Sequence, residues 1–259
     1  MNLHDITPLV LTFNEEPNLE RTLQGIGWAN EIIIVDSFSQ DRTLEIASRF
    51  DNVRLLQRTF DDHTSQWNFG LQQVVTPWVL TLDSDYVCSR AFEEELALLK
   101  PEMDVYFARF RYCVFGRRLR STIYPPRAVL FQPKKNAYVP DGHTQLLDCH
   151  NATIGIFEST IDHDDRKPLA RWCQSQVQYA KLEAEKLTNG DKKSLGWKDR
   201  LRQYLVLAPP LTLVYCLLWK RLLLDGRPGI YYSLQRVFAE LLLALFILDR
   251  NLRNRDSLR

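Results

Sequence analysis

The chain has 259 residues, of which 45% are hydrophobic and 25% are charged. This composition is typical of a globular α/β protein and excludes a disordered or fibrous one. The net charge of +1 hides an asymmetry, because residues 1–159 carry 15 Lys and Arg against 21 Asp and Glu, whereas residues 160–259 carry 18 against 11. The two parts are therefore expected to meet different partners.

Cysteine usage and the first residues indicate the compartment. The five cysteines are scattered and form no Cys-x-x-Cys pair, which argues against a disulfide framework or a zinc site. The sequence after Met1 shows neither a basic region nor an apolar signal core. We therefore expect a cytoplasmic protein with reduced thiols.

Residues 1–100 predict a parallel sheet. Four apolar runs bounded by polar turns are typical of strands, at residues 6–12, 31–35, 53–56 and 78–82. Helical patterns begin near Pro17 and cover residues 41–50, and another helix is predicted over residues 90–100. This alternation indicates βαβ units, which form the first half of an α/β domain.

The pattern changes after residue 100. Strands are predicted over residues 105–115, 128–131 and 153–157, with a turn at 115–118. We expect these strands to be irregular and antiparallel. Residues 101–165 are therefore expected to form the second half of the same domain.

Residues 166–259 predict a helical extension. Its helices are expected at residues 169–187, 201–224 with an interruption at Pro209 and Pro210, and 230–248. The uncharged stretch 205–219 is shorter than the ~20 residues that span a bilayer. Basic residues flank the apolar runs, namely Lys198, Arg200, Arg202, Lys220, Arg221 and Arg227. We expect a peripheral hairpin on the inner face of the cell membrane. The alternatives are a spanning pair, packing on the catalytic domain, or a homo-oligomer interface.

Two carboxylates follow the fourth predicted strand. The run 78–82 leads into Asp83, Ser84 and Asp85, and because side chains alternate along a strand, Asp83 and Asp85 are expected to project the same way. Carboxylates at the open end of a buried strand suit a hard divalent cation that carries a diphosphate. The pattern predicts a metal and nucleotide-sugar site.

The first two strands also end in polar residues. Phe13, Asn14 and Glu15 follow the first strand, and Asp36 follows the second. Open parallel sheets bind ligands beyond the carboxyl ends of their strands, so these tips predict a nucleotide cradle. Phe13 is expected to lie against the base, and Asp36 to accept hydrogen bonds from the base or ribose. Alternatively, Asp36 caps the next helix.

The ordered set of motifs resembles a known family. The segments are LTFNEEPNLERTL, WANEIIIVDSFSQDRT, WNFGLQQ before PWVLTLDSD, YPPR, the later histidines and LLLDGRPG. Together they resemble the inverting family 2 glycosyltransferases of the GT-A fold, especially the bacterial branch with lipopolysaccharide-core glucosyltransferases. The resemblance implies a Rossmann-like, mostly parallel sheet. It implies that residues 1–100 form the donor-binding half and residues 101–165 the acceptor-side half of one catalytic domain. It also implies transfer of a sugar from a nucleotide-diphosphate sugar, with UDP favoured, to a hydroxyl of a lipid-linked or cell-envelope glycan.

The resemblance implies roles for single residues on the donor side. Asn14, Glu15 and Asp36 match positions that hold the nucleoside, and Asn68 matches a position associated with the same pocket. The two aspartates after the fourth strand would hold Mn²⁺ or Mg²⁺, which stabilises the departing diphosphate as a Lewis acid.

Two further residues are candidates for contacts near the diphosphate. His163 lies where related enzymes place a histidine, and imidazole suits Mn²⁺ as a third ligand, although such a residue also caps or packs. Arg127 follows Tyr124-Pro125-Pro126 and is a candidate to reach phosphate or acceptor. Its fork geometry suits phosphate, with a solvent-facing arginine as the alternative.

The acceptor hydroxyl needs a base, which the family provides in a His-Glu pair. This chain reads Asp141-Gly142-His143-Thr144, so Thr144 stands where Glu is usual. Asp141 is our first choice for the base and His143 the second, because either group can take the acceptor proton within hydrogen-bond reach. A polar loop capped by Asp141 is the alternative.

Other functions fit the same residues less well. A sugar nucleotidyltransferase would want a Gly-rich basic loop after the first strand, where residues 13–16 are acidic and lack glycine. The best support for a catalytically silent glycan- or lipid-binding relative is Thr144, which stands where the family has Glu. The lack of a Gly-x-Gly-x-x-Gly after any strand excludes a dinucleotide-dependent dehydrogenase. Nucleic-acid binding is disfavoured because the basic excess accompanies apolar helices.

Overall fold

The computed structural model describes residues 1–141, 144–189 and 207–256. The chain divides into two compact units. The first unit comprises Met1–Arg118 and Tyr124–Lys167, and the second comprises Leu119–Ile123 and Pro168–Arg259.

The first unit begins with the βαβ pattern that the sequence predicts. Its strands are β1 (Ile6–Thr12), β2 (Ile32–Asp36), β3 (Val53–Gln57) and β4 (Trp78–Asp83), and all four are parallel. The helices between them are α1 (Leu19–Gly25), α2 (Thr43–Ala47) and α3 (His63–Gln72). Helix α2 is shorter than the predicted 41–50. After Ala47 the backbone N–H groups of Arg49 and Phe50 donate to carbonyl oxygens three residues earlier, which is the 3₁₀ pattern and not the α-helical one.

Both faces of this parallel sheet are buried. In β2, Ile32 and Ile34 join one apolar cluster, while Ile33 and Val35 join the other. The same alternation occurs in β4, where Leu80 and Val79 face different clusters. A parallel sheet covered on both sides needs continuous apolar runs, and this need explains why these strands are recognisable in the sequence.

The rest of the first unit extends the sheet. It contains β5 (Tyr86–Val87), α4 (Arg90–Leu98), β6 (Val105–Val114), β7 (Arg117–Arg118), β8 (Arg127–Phe131), β9 (Tyr138–Asp141), β10 (Thr144–Leu147) and β11 (Ile154–His163). In the described residues the main sheet has the order β3-β2-β1-β4-β8-β6-β11-β5, with β7 paired to β6 and a separate β9-β10 hairpin.

One predicted pairing is wrong. Strand β8 is antiparallel to β4 and β6, as expected, but β11 runs parallel to β6. The chain crosses from β8 through the β9-β10 hairpin before it returns as β11, and this long connection permits a parallel return. Strand β11 also extends past the predicted residue 157 to His163.

The described part of the second unit is mainly helical, with α5 (Leu169–Asn189), α6 (Ala208–Val214) and α7 (Arg227–Asp256). Ala180, Ala184 and Leu187 of α5 pack against Leu243 and Ile247 of α7. Pro209 and Pro210, where an interruption is predicted, lie in the first turn of α6, where no intrahelical donor is needed. Residues 201–206 of the predicted helix lie outside the described residues.

Helix α7 begins earlier than predicted, at Arg227, so Pro228 and Gly229 belong to its first turn and not to a preceding loop. Between α6 and α7 lie a π-helical turn, Tyr215–Trp219, and a 3₁₀ turn, Leu222–Asp225. Within the described residues, one helix, Arg227–Arg253, is long and apolar enough to cross a membrane by length and composition alone.

Candidate active site

The carboxyl ends of β1, β2 and β4 meet at one edge of the sheet. Thr12 pairs with Asp36, and Leu11 pairs with Asp83, so the tips that the sequence singles out are neighbours. Strand β4 ends at Asp83, and Asp85 lies in the turn before β5, so the predicted strand alternation does not extend to Asp85. Asp83 is half-buried, whereas Asp85 is buried.

Asp85 has an incomplete set of partners. One carboxylate oxygen, Oδ2, lies 3.3 Å from Nε2 of His163 and 3.9 Å from Nζ of Lys167. Its Oδ1 and the Nδ1 of His163 are buried and have no hydrogen-bond partner within the described residues. Burial alone would raise the pKa of Asp85, but the charges of His163 and Lys167 lower it below its usual range. Asp85 is therefore an ionised carboxylate with one oxygen still available.

Aromatic rings surround His163 at the end of β11. The ring centroids of Tyr112, Tyr124 and Tyr86 lie 4.7, 4.8 and 5.3 Å from that of the imidazole. The hydroxyls of Tyr86 and Tyr124 share a hydrogen bond of 2.5 Å. These rings fix the orientation of the imidazole beside Asp85.

Glu15 meets a cation that the sequence analysis missed. Nζ of Lys167 lies 2.9 and 3.1 Å from the two carboxylate oxygens of Glu15. The side-chain amide of Asn18 donates to Oε2 of Glu15 over 2.9 Å. Burial raises the pKa of Glu15, and Lys167 opposes that shift. Because Glu15 and Lys167 are 152 residues apart, no local pattern indicates this pair.

Asp36 organises the tip of β2. It is fully buried and accepts hydrogen bonds from Thr12 Oγ1 at 2.9 Å and from both the amide and the hydroxyl of Ser39, at 2.9 and 2.5 Å. The alternative that Asp36 caps the next helix is not what the structure shows, because Asp41 accepts from the amide of Thr43 at the start of α2.

Two aromatic rings stand at the same edge. Phe13 is 50% exposed and Phe38 is 46% exposed. Phe38 has a backbone φ of 59°, in the left-handed region that bulky residues avoid. Asn14 has a φ of 54°, and its side chain accepts from the amide of Gln40 over 2.6 Å, which ties the tip of β1 to the loop after β2. The sequence analysis missed Phe38, although an apolar ring between two serines at a strand tip was an available signal.

Asn68 and Arg127 lie deeper in the first unit. Asn68 uses both ends of its amide on the backbone of Tyr138, each over 2.9 Å, so it connects α3 to β9. The guanidinium of Arg127 lies 5.5 Å from the centre of the Tyr124 ring, and its Nε is buried without a hydrogen-bond partner among the described residues. Their roles in the donor pocket stay predictions.

The two candidates for the base lie at the end of β9 and directly after it. Asp141 is the last residue of β9, but the placement of its side chain lies outside what the structure describes. Gly142 and His143 lie outside the described residues altogether. The assignment of the base therefore stays a prediction.

The donor set fits a divalent cation. Among the described residues, no group of three His, Cys, Asp and Glu side chains is already gathered as a metal cluster. However, the unpartnered Oδ1 of Asp85 is a buried anion that needs a cation or a donor. Carboxylate oxygens from Asp83 and Asp85 with an imidazole nitrogen from His163 suit Mn²⁺, and the carboxylates alone suit Mg²⁺.

A sequence profile decides the family. The profile described as "Glycosyl transferase family 2" matches residues 9–159, which is more than half of the chain. The chain belongs to glycosyl transferase family 2. The resemblance inferred from the motifs is therefore confirmed, and the family segment covers the tips of β1, β2 and β4 on which the site is built.

Curated relatives match this chain over shorter segments. It is 26% identical over 103 residues to "Lipopolysaccharide core biosynthesis glycosyltransferase LpsC" of Rhizobium meliloti (strain 1021), a match that covers 38% of each chain. It is 25% identical over 95 residues to an uncharacterized glycosyltransferase of Rickettsia felis, which covers 36% of this chain and 33% of that one. The chain thus spans about a third of the length of these relatives.

A solved structure supports the fold over nearly the whole chain. The mannosyltransferase PcManGT from Pyrobaculum calidifontis, solved in complex with GDP-Man and Mn²⁺, has 14% sequence identity and a TM-score of 0.55, and the match covers 94% of this chain and 87% of that one. The predicted fold class, a GT-A fold with a mostly parallel sheet and C-terminal helices, is confirmed.

The left-handed backbone of Phe38 gives a stability prediction. Glycine adopts this conformation without strain, so Phe38→Gly is expected to be more stable than Phe38→Ala by about 1 kcal/mol, because alanine loses the ring but keeps the strain. Urea unfolding of the two variants measures the difference. A glycine variant that is no more stable than the alanine variant would show that the left-handed backbone of residue 38 stores no strain.

Proposed function

We propose that this family 2 enzyme transfers a sugar from a nucleotide-diphosphate sugar to a hydroxyl, with inversion at the anomeric carbon and with a divalent cation held by Asp83 and Asp85. One observation carries the proposal. At the carboxyl end of a parallel sheet, Asp85 is buried and ionised, and one of its oxygens, beside His163, has no hydrogen-bond partner in the described part of the chain. A cation that arrives with a diphosphate supplies the missing partner.

The donor nucleotide would lie across the tips of β1 and β2. The exposed ring of Phe13 offers a face for the base, and Asp36, Asn14 and Asn68 complete the predicted nucleoside pocket. We favour a UDP-sugar because of the motif resemblance. PcManGT, which shares the fold, was solved with GDP-Man and Mn²⁺, and this supports a nucleotide sugar with a divalent metal in general.

Transfer requires stabilisation of the leaving group and removal of a proton. When bound, the cation would act as a Lewis acid on the departing diphosphate. Arg127 would donate to a phosphate oxygen through its unpartnered Nε. On the acceptor side, Asp141 or His143 would take the proton from the attacking hydroxyl, so that a single displacement inverts the anomeric carbon.

We place the acceptor in the cell envelope. The relative in Rhizobium meliloti is named for lipopolysaccharide core biosynthesis, which supports a lipid-linked or envelope glycan as the acceptor. The second unit would hold the enzyme on the inner face of the cell membrane. Its turn between α6 and α7 exposes Trp219 at 79% and Leu218 at 63%, and Lys220 and Arg221 follow directly. Apolar side chains next to cations suit an anionic membrane surface.

The metal proposal gives the first functional prediction. Asp85→Asn keeps the shape of the side chain but removes its charge, so we expect release of nucleoside diphosphate from a UDP-sugar or GDP-sugar to fall by about 100-fold or more. A chelator is expected to abolish turnover of the unaltered enzyme, and Mn²⁺ to restore it. The measurement is nucleoside diphosphate released with and without Mn²⁺.

The matched control is Asp51→Asn, which changes an exposed carboxylate outside the site and should leave turnover unchanged. Turnover that survives both the chelator and Asp85→Asn would contradict the metal mechanism. Nucleotide or glycan binding without any turnover would favour the catalytically silent alternative.

The membrane proposal gives a second prediction. Replacing Leu218 and Trp219 together by serine removes two exposed apolar side chains, and we expect partitioning onto vesicles to fall about tenfold or more. Co-sedimentation with vesicles of phosphatidylcholine and phosphatidylglycerol measures it. Val75→Ser, on an exposed valine of the first unit, is the control. If partitioning is unchanged and only the double variant has a lower molecular mass in solution, these two side chains would instead belong to a homo-oligomer interface.

A further inference from the structure

Lys167 is a buried cation among three carboxylates. Its Nζ lies 2.9 Å from Oε1 of Glu15, 3.4 Å from Oδ1 of Asp165 and 3.9 Å from Oδ2 of Asp85. The side chain is 16% exposed. Burial would lower the pKa of Lys167, but Asp85 and Glu15 raise it well above its usual value, so the ammonium stays charged.

The segment that carries Lys167 is fixed by contacts to the first helix. Asn18 donates to Oδ1 of Asp165 over 3.0 Å and accepts from the amide of Arg166 over 2.9 Å. Arg21 donates to Oδ2 of Asp164 over 2.6 Å. These bonds hold the chain after β11 against α1, so the ammonium is held in place beside Asp85.

The position of Lys167 affects any cation that binds to Asp85. The ammonium shares Oδ2 with His163, while Oδ1 has no hydrogen-bond partner among residues 1–141, 144–189 and 207–256. A divalent cation on Asp85 would therefore lie within a few ångströms of a fixed positive charge and would be repelled by it. A diphosphate reverses this relation, because its negative charge attracts the metal and the ammonium at the same time.

We propose that Lys167 is a positioning residue that makes divalent-metal binding conditional on the nucleotide diphosphate. Lys167 keeps Glu15 occupied and weakens the site for the metal alone, so that metal and diphosphate bind cooperatively. Such coupling is reciprocal, so the metal strengthens nucleotide binding by the same factor as the nucleotide strengthens metal binding. This inference rests on the proposed function, because it needs a nucleotide diphosphate at the site.

The test measures Mn²⁺ affinity directly and requires no turnover. The dissociation constant of Mn²⁺ is measured by electron paramagnetic resonance, with and without UDP or GDP, for the unaltered protein, Lys167→Gln and Lys167→Arg. For Lys167→Gln we expect Mn²⁺ alone to bind about tenfold more tightly, and the gain in affinity caused by the nucleotide to shrink by a similar factor. Lys167→Arg keeps the charge and should retain the coupling of the unaltered protein.

The outcomes separate this inference from the proposed function. If the unaltered protein binds Mn²⁺ and nucleotide but Lys167→Gln leaves both the Mn²⁺ affinity and the coupling unchanged, Lys167 is only a structural ion-pair partner and the inference is wrong. If the unaltered protein binds no nucleotide, the proposed function fails and the inference fails with it.

A second variant keeps the test decisive if Lys167→Gln does not fold. Glu15→Gln removes the negative charge nearest to Lys167, so Mn²⁺ alone should bind more weakly and the gain caused by the nucleotide should increase. A smaller gain in Glu15→Gln would contradict the inference. Thermal unfolding of each variant establishes which of them are folded.

Discussion

The charge of Asp85 is the constraint on which the rest of the site depends. A carboxylate this buried is costly unless cations or donors compensate it, and here His163 and Lys167 compensate only one of its two oxygens. The incomplete compensation distinguishes the site from a structural ion pair, in which both oxygens would be satisfied. The free oxygen is the feature that a divalent cation would use.

The sheet topology assembles the groups around this charge. Strands β1, β2 and β4 bring Glu15, Asp36 and Asp83 to one edge because parallel neighbours end on the same side. Strand β11 runs parallel to β6 and then pairs with β5, which places His163 opposite Tyr86 and next to Asp85. The second half of the first unit thus brings the imidazole of His163 and the ammonium of Lys167 to carboxylates that the first half provides.

The sequence predicted the parts of the fold that local patterns determine. Strands β1 to β4 lie within one residue of their predicted limits, because a sheet covered on both faces needs unbroken apolar runs. The parallel pairing of β11 was missed because pairing between distant strands leaves no local signal. The acidic residues were found because aspartates at strand tips form a short motif.

The missed site residues have a different physical origin. Lys167 forms an ion pair with Glu15, which is 152 residues earlier in the sequence. A single lysine before a proline is not a sequence motif that would indicate this pair. The left-handed backbone of Phe38 depends on hydrogen bonds from Ser39 to Asp36, which only the folded loop shows. Sequence patterns therefore identify the anions of this site better than the cations and rings that complete it.

The most direct test of the account is a crystal structure with Mn²⁺ and UDP or GDP, recorded with anomalous scattering from manganese. The account predicts a manganese peak at coordination distance from Oδ1 of Asp85, with a phosphate oxygen of the nucleotide on the same ion. A bound nucleotide with no manganese at Asp85, or with Oδ1 of Asp85 paired to a protein cation, would contradict it.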